Sequence, residues 1–270
     1  MIHLDMIKRV VFTEDILTVF LSSQGASMTT SPQAAPGSAP ASAQVPEHVG
    51  IILDGNRRWA RAHGLATAGH GHRAGFGKIP EVLSWCEELG IRFVTVWMLS
   101  DDNVAHRSAA ELQDLYTIDA EVVNKLASDG RWRLRAIGRT ELLPGTLAEL
   151  LHTAERATCG NGGMSVNLAL AYGGRSDLLH AVRALADALR AGRITEVTEE
   201  HVSGQLSTAG QPDPDLIIRT SGELRTSGFL LWQAALAELY FCPRLWPDFT
   251  REDLTDAVRA YASRQRRLGA

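Results

Sequence analysis

The residues best suited to chemistry lie between His48 and Arg61, in the run HVGIILDGNRRWAR. One carboxylate, Asp54, is followed within seven positions by Arg57, Arg58 and Arg61. Guanidinium forks bind phosphate oxygens in a bidentate manner, and a carboxylate among them suggests a metal-assisted phosphate site. The elements that must position these groups can be read from the same run. Val49 to Leu53 is continuously apolar, as in a strand buried on both faces of a parallel sheet. Asp54-Gly55-Asn56 is a turn cluster, and a helix-compatible stretch resumes at Arg57. A strand-turn-helix of this kind puts Asp54 at the carboxyl end of a strand, where open α/β sheets bind ligands. On this stretch alone, a helix capped by Asp54 with solvated arginines fits equally well.

The 270-residue chain is 45% hydrophobic and 21% charged, enough to bury a sizeable core in one domain. Its net charge of −4 argues against a nucleic-acid binder, which is normally basic. Cys86, Cys159 and Cys242 are isolated and lack metal-ligand spacing, so they read as thiols in a reducing compartment, and the expected location is cytoplasmic. No apolar run approaches the roughly 20 residues that span a bilayer, so no transmembrane segment is expected. Residues 1–45 stand apart as an atypical extension. Ser22 to Pro46 is rich in Ser, Ala, Gln and Pro and reads as disordered, and Met28 is the expected natural start. The folded domain is placed at residues 46–270.

Through that domain, strand and helix patterns alternate. Strands are expected at Arg92–Leu99, Trp132–Gly138, Met164–Ala171 and Asp215–Ile218, with a short sixth at Phe229–Leu231. Helices are expected at 57–63, 75–89, 109–126, 142–158, 176–190 and 199–207, and the glycine-rich Ala68–Gly75 is expected to be a loop. This order predicts an α/β fold: a single domain with a mostly parallel central sheet of about six strands flanked by helices. Four strands end in polar segments, at Asp54–Asn56, Ser100–Asn103, Gly173–Arg175 and Arg219–Ser221. In a parallel sheet those ends share one edge and can build one site. A second set of phosphate-grade donors follows the fifth strand, in RTSGELRTSGFLLWQAALAELYF: Arg219, Arg225 and the hydroxyls of Thr220, Ser221, Thr226 and Ser227. Glu238, in an otherwise apolar stretch, is costly to bury unless paired or metal-bound.

These two runs, with LSDDN between them and the WPDF ending, closely resemble the cis-prenyltransferases, the undecaprenyl diphosphate synthase family of Z-isoprenyl diphosphate synthases. The resemblance covers about Pro46 to Leu268. It implies an undecaprenyl diphosphate synthase-like fold and a Mg²⁺-dependent homodimer that condenses an allylic prenyl diphosphate with isopentenyl diphosphate. Carried over position by position, Asp54 resembles the aspartate that engages Mg²⁺ and the departing diphosphate. Gly55, Asn56, Arg57 and Arg58 match the turn around the allylic diphosphate, with Trp59 the adjoining aromatic and His72 a histidine on that group. Ser100 and Asn103 match the Ser and Asn of the family's FSxENW segment near the reacting carbons; Asp101 and Asp102 fall within it and join the substrate-binding set. Arg219, Arg225 and Ser227 match residues holding isopentenyl diphosphate, with Thr226 between the last two, and Glu238 matches a metal-binding glutamate. Asn103, although placed with the catalytic residues, is an amide and a poor base, so its expected role is orientation.

The departures are informative. Ala68 stands where long-chain members have an arginine, and His70 is a candidate replacement. FSxENW has become LSDDNV, and the basic residue beyond it is His106 or, with a one-residue insertion, Arg107, the favoured choice. Leu224 replaces a residue that sometimes ligates the metal. DDxxD pairs of the trans-prenyltransferases are absent. Met98, in WMLS, stands where long-chain members carry a small residue in YAFS, so a growing tail is expected to stop early, giving a C10–C20 product from dimethylallyl, geranyl or farnesyl diphosphate. Rival readings are irregular coupling of two dimethylallyl units, a longer-chain synthase and a non-catalytic partner subunit. Retention of Asp54, Asn56, Arg58, Arg219, Arg225 and Glu238 argues against the last.

Overall fold

The computed structural model describes residues 45–264; the expectations for residues 1–44 and 265–270 lie outside it. Six parallel strands form one sheet: β1 (His48–Ile52), β2 (Phe93–Trp97), β3 (Arg133–Ile137), β4 (Ser165–Ala169), β5 (Leu216–Arg219) and β6 (Glu238–Phe241). Their order is β3-β4-β2-β1-β5-β6, so the chain runs outward from β1 on one side and then returns to its other side with β5. β1 is therefore flanked by both directions of winding, the switch point at which a crevice opens beyond the strand ends. In register, Ile52 lies beside Trp97 on one side and Arg219 on the other.

The helices are α1 (Asn56–Ala62), α2 (Ala68–Gly77), α3 (Ile79–Glu88), α4 (Asp101–His106), α5 (Ala109–Asp129), α6 (Gly145–Thr158), α7 (Gly174–Arg190), α8 (Glu199–Ser203) and α9 (Arg251–Ser263). Alternation along β1 and β2 separates two apolar layers. Val49, Ile51, Val94, Val96 and Met98 join the main core with residues of α3, α5, α6 and α9. Ile52 turns to a smaller cluster with Tyr172, Ile217, Phe229 and Leu230.

Three local expectations are corrected. Ala68–Gly75 is helical, the start of α2 rather than a loop. Its glycines serve close approach: a Cβ on Gly71 would lie 2.0 Å from the Asn56 carbonyl oxygen, and one on Gly75 would lie 2.1 Å from Asn56 Oδ1. Spaced four apart on one helix face, they let α2 press against α1. The sixth strand is Glu238–Phe241, not Phe229–Leu231. Leu230 has φ of +47°, which ends any extended run there, and Phe229 and Leu230 instead fold onto the sheet as turns that bury both side chains. The polar segment after β2 begins a short helix, α4, that the sequence pattern did not mark.

On α5, Asp119 is fully buried, and neither carboxylate oxygen has a hydrogen-bond partner. Burial raises its pKa well above 3.8, with the Arg107 charge opposing only in part. An Asp with a raised folded pKa contributes stability that is fully present below about pH 4 and is lost as pH rises through the folded value. An Asp119→Asn variant, neutral at every pH, is expected to gain on the wild type in thermal unfolding as pH rises from 4 to 8. A wild-type advantage that grows with pH would contradict a neutral buried carboxyl.

Candidate active site

The carboxyl ends of β1 and β5 are sewn together by one hydroxyl. Thr220, fully buried, accepts the Asp54 N–H at 2.9 Å and donates to the Asp54 carbonyl at 2.7 Å. Gly55 follows at φ +111°, and any Cβ there would press within 2.9 Å of the Leu245 side chain, so the turn requires glycine. With its backbone fixed, Asp54 accepts a 2.8 Å bond from Arg219 Nη2 at Oδ2, while Oδ1 lies 3.6 Å from Arg58 Nη2. Burial alone would raise the Asp54 pKa. The Arg219 hydrogen bond and charge, with Ser221 and Arg58, outweigh it and hold the carboxyl below its usual value. Arg219 is 7% exposed and also donates to Ser227 Oγ at 2.8 Å and to the Arg225 carbonyl at 2.6 Å. Arg58 donates to Ser221 Oγ at 2.6 Å. Ser221 and Ser227 both sit at positive φ, +77° and +53°, conformations that non-glycine residues adopt at a cost and that concentrate at working sites.

These ends open into a cavity of about 1030 Å³, at the upper end of small-molecule sites. Its lining includes Asp54, Gly55, Asn56, Arg57, Arg58, His72, Met98, Ser100, Asp101, Asp102, Asn103, Arg107, Arg219, Arg225 and Ser227, most of the residues expected from sequence. The polar ends of four strands do converge there. Ser100 caps α4 by accepting the Asn103 N–H at 2.9 Å, and Asn103 Oδ1 accepts from Arg107 Nη2 at 3.2 Å. Arg107 therefore lines the cavity, whereas His106 bonds the Asp102 carbonyl outside it. His70 bonds Thr67 and does not take the place of the missing arginine.

Three expected residues are not brought into the cavity of this chain. Trp59 donates to Asp248 Oδ1 at 2.7 Å and stacks on His63. The Thr226 carbonyl closes a turn onto the Phe229 N–H. Glu238 pairs in register with Leu216, at the opposite end of the sheet from Asp54, and its carboxylate is taken by Arg264. Among the described residues no cluster of three or more His, Cys, Asp or Glu could cage a metal. The Asp54 carboxylate, 29% exposed at the cavity wall, does fit Mg²⁺, which is commonly held by one or two carboxylates together with substrate phosphates.

The cavity also recruits Arg61, Trp97, Arg175 and Glu223, which the residue-by-residue matching left out. Arg61, marked from the start by its spacing from Arg57 and Arg58, and Arg175, in the polar end of β4, were already in view from the sequence, whereas Glu223 only adjoins the polar end of β5. Trp97 faces the other side of the sheet from Met98 and stacks on Phe229 at 5.0 Å. It reaches the cavity because the cavity straddles the sheet edge.

The comparisons with known proteins bear on this geometry. Residues 52–269 match the family model of undecaprenyl diphosphate synthase. The chain belongs to the cis-prenyltransferases. It is 48% identical over 232 residues to isoprenyl transferase 1 of Streptomyces avermitilis, covering 84% of this chain and 90% of that one. It is 47% identical over 230 residues to the (2Z,6E)-farnesyl diphosphate synthase of Thermobifida fusca, covering 83% and 90%. A crystal structure of lavandulyl diphosphate synthase from Lavandula x intermedia, in complex with dimethylallyl diphosphate, superposes with a TM-score of 0.80 at 36% identity, covering 84% and 99%. This prenyltransferase is thus an enzyme that transfers prenyl groups.

His72 gives the site a measurable signature. It is buried beside Arg107, whose Nη1 lies 3.2 Å from its Nε2, and burial followed by the Arg107 charge lowers its pKa to about 4 despite nearby Glu111. In the free prenyltransferase, an NMR titration should show His72 neutral down to about pH 4, assigned by loss of the signal in His72→Gln. Added diphosphate should move the titration upward, since an anion favours the imidazolium. Titration of His72 near 6.5 without ligand would contradict this environment.

Proposed function

We propose that this prenyltransferase condenses isopentenyl diphosphate with a short allylic diphosphate to give a Z-prenyl diphosphate of C10–C20, with C15 favoured, in a Mg²⁺-dependent reaction. The observation that carries the reading is the Asp54–Arg219 pair in a cavity that Leu53, Phe76, Met98 and Leu115 of the main core also line. The allylic C–O bond breaks, a carbon–carbon bond forms to the isopentenyl unit, and a proton leaves that unit. Negative charge grows on the departing diphosphate, where Arg57, Arg58 and Arg61 of α1 line the wall. Preformed cations in a partly desolvated site stabilise that charge without reorganising. Arg219, Arg225 and Ser227 are assigned to the diphosphate of the isopentenyl substrate. Asn103, held by Arg107, orients the reacting carbons, and the departing diphosphate takes the proton. Bound at Asp54, Mg²⁺ would supply Lewis-acid stabilisation of the leaving group.

Product length is assigned to Met98. It is 6% exposed, lines the cavity, and shares the main core with Phe76 and Leu115, which also line it. A close-packed wall has no room for a lengthening tail, and the name of the Thermobifida relative supports a 15-carbon product. A homodimer fits the exposed Leu179, Val182 and Leu189 on α7, together with exposed Leu236. The half-buried edge strand β6, with Leu239, Tyr240 and Phe241, offers further apolar surface for that contact.

Purified protein with Mg²⁺, labelled isopentenyl diphosphate and each allylic primer in turn should incorporate label into products of about two to four isoprene units. No incorporation with any primer would overturn the proposal, and label-free coupling of dimethylallyl diphosphate would support the irregular reaction instead. Met98→Ala should shift products longer, at a stability cost of about 2–5 kcal/mol. An unchanged product distribution in folded Met98→Ala would remove Met98 from length control.

A further inference from the structure

The cations of the cavity fall into two groups. Arg57, Arg61 and Arg175 pair with no carboxylate among the described residues, so they are open to an anion. Arg58 and Arg225, from α1 and from the β5–β6 connection, are instead bridged by Glu223. Its Oε1 lies 3.4 Å from Arg58 Nη2, and its Oε2 accepts from Arg225 Nη1 at 2.5 Å. One carboxylate thus spans two arginines with one oxygen each, as a bidentate phosphate group would.

We propose that Glu223 is an exchangeable counter-anion. In the empty enzyme it holds Arg58 and Arg225 together, and a substrate diphosphate displaces it and takes over both guanidinium groups. This rests on reading the cavity as a diphosphate site.

The contrast with Asp54 decides which carboxylate exchanges. The Asp54–Arg219 pair is locked, since Arg219 is nearly buried and is bonded on two further sides. Glu223 stands between Gly222, at φ +73°, and Leu224, which is 77% exposed, at the apex of a loop. Arg225 is 62% exposed and its guanidinium has no other partner among the described residues. Exposed pairs of this kind are weak, and an oxyanion carrying more charge outcompetes them. Glu223 keeps the two arginines correctly placed before binding. It also returns to them as product diphosphate leaves, which lowers the affinity for that product.

Calorimetric titration of inorganic diphosphate, metal-free in EDTA, into full-length wild type and Glu223→Gln tests this. The variant should bind diphosphate about three- to five-fold tighter, the size of losing one exposed carboxylate that competes weakly for two arginines. Inhibition of turnover by added diphosphate should strengthen by the same factor. Glu223→Ala, with circular dichroism matching wild type, should behave alike. Equal or weaker binding by both folded variants would overturn the counter-anion role. Failure of the wild type itself to bind diphosphate would instead overturn the reading of the cavity, and the proposal with it.

Discussion

The bond between Asp54 and Arg219 joins two residues 165 positions apart, and the site depends on it. A carboxylate at the end of β1 is useful only if its backbone cannot drift. The buried Thr220 hydroxyl supplies that constraint by bonding both the N–H and the carbonyl of Asp54. Because β1 and β5 are neighbours, Arg219 is carried to the same edge by register alone. The guanidinium then extends the order to Ser227 and the Arg225 carbonyl, so the β5–β6 connection is tied to the same point. The Trp246 N–H, donating to the Asp54 carbonyl at 3.0 Å, and the Trp246 indole, donating to the Gly75 carbonyl at 2.7 Å, carry the constraint on to α2.

Charge and apolar surface are divided by strand alternation. Polar segments follow the strand ends and line the cavity. Met98 and Trp97, adjacent in sequence, leave the strand on opposite faces and wall the cavity on two sides. Cations with carboxylate partners and cations without them line the same cavity. That arrangement leaves guanidinium groups open to an anion while limiting the unbalanced positive field of the cavity.

The six-strand parallel fold and the convergence of strand ends were legible because buried parallel strands are continuous apolar runs bounded by turn residues. What failed did so for identifiable reasons. Glycines at 71 and 75 read as a loop by composition, yet they are contact glycines on a helix face, a distinction that requires knowing what lies opposite. Phe229–Leu231 is as apolar as a strand but is folded by a left-handed residue that sequence does not reveal. Motif matching found most of the cavity wall and also selected Trp59, Thr226 and Glu238, because a long motif includes residues that hold the fold as well as residues that line the cavity. Glu223 was passed over because a carboxylate looks out of place among phosphate donors until its two arginine partners are seen.

The central claim is that Asp54 and Arg219 act as one unit. A double-mutant cycle on kcat/KM with Asp54→Asn, Arg219→Gln and the double variant tests it most directly. Each single change is expected to cost on the order of 100-fold. The double variant should be little worse than the more damaging single, a coupling of about 2 kcal/mol or more. Losses that simply multiply would contradict the account.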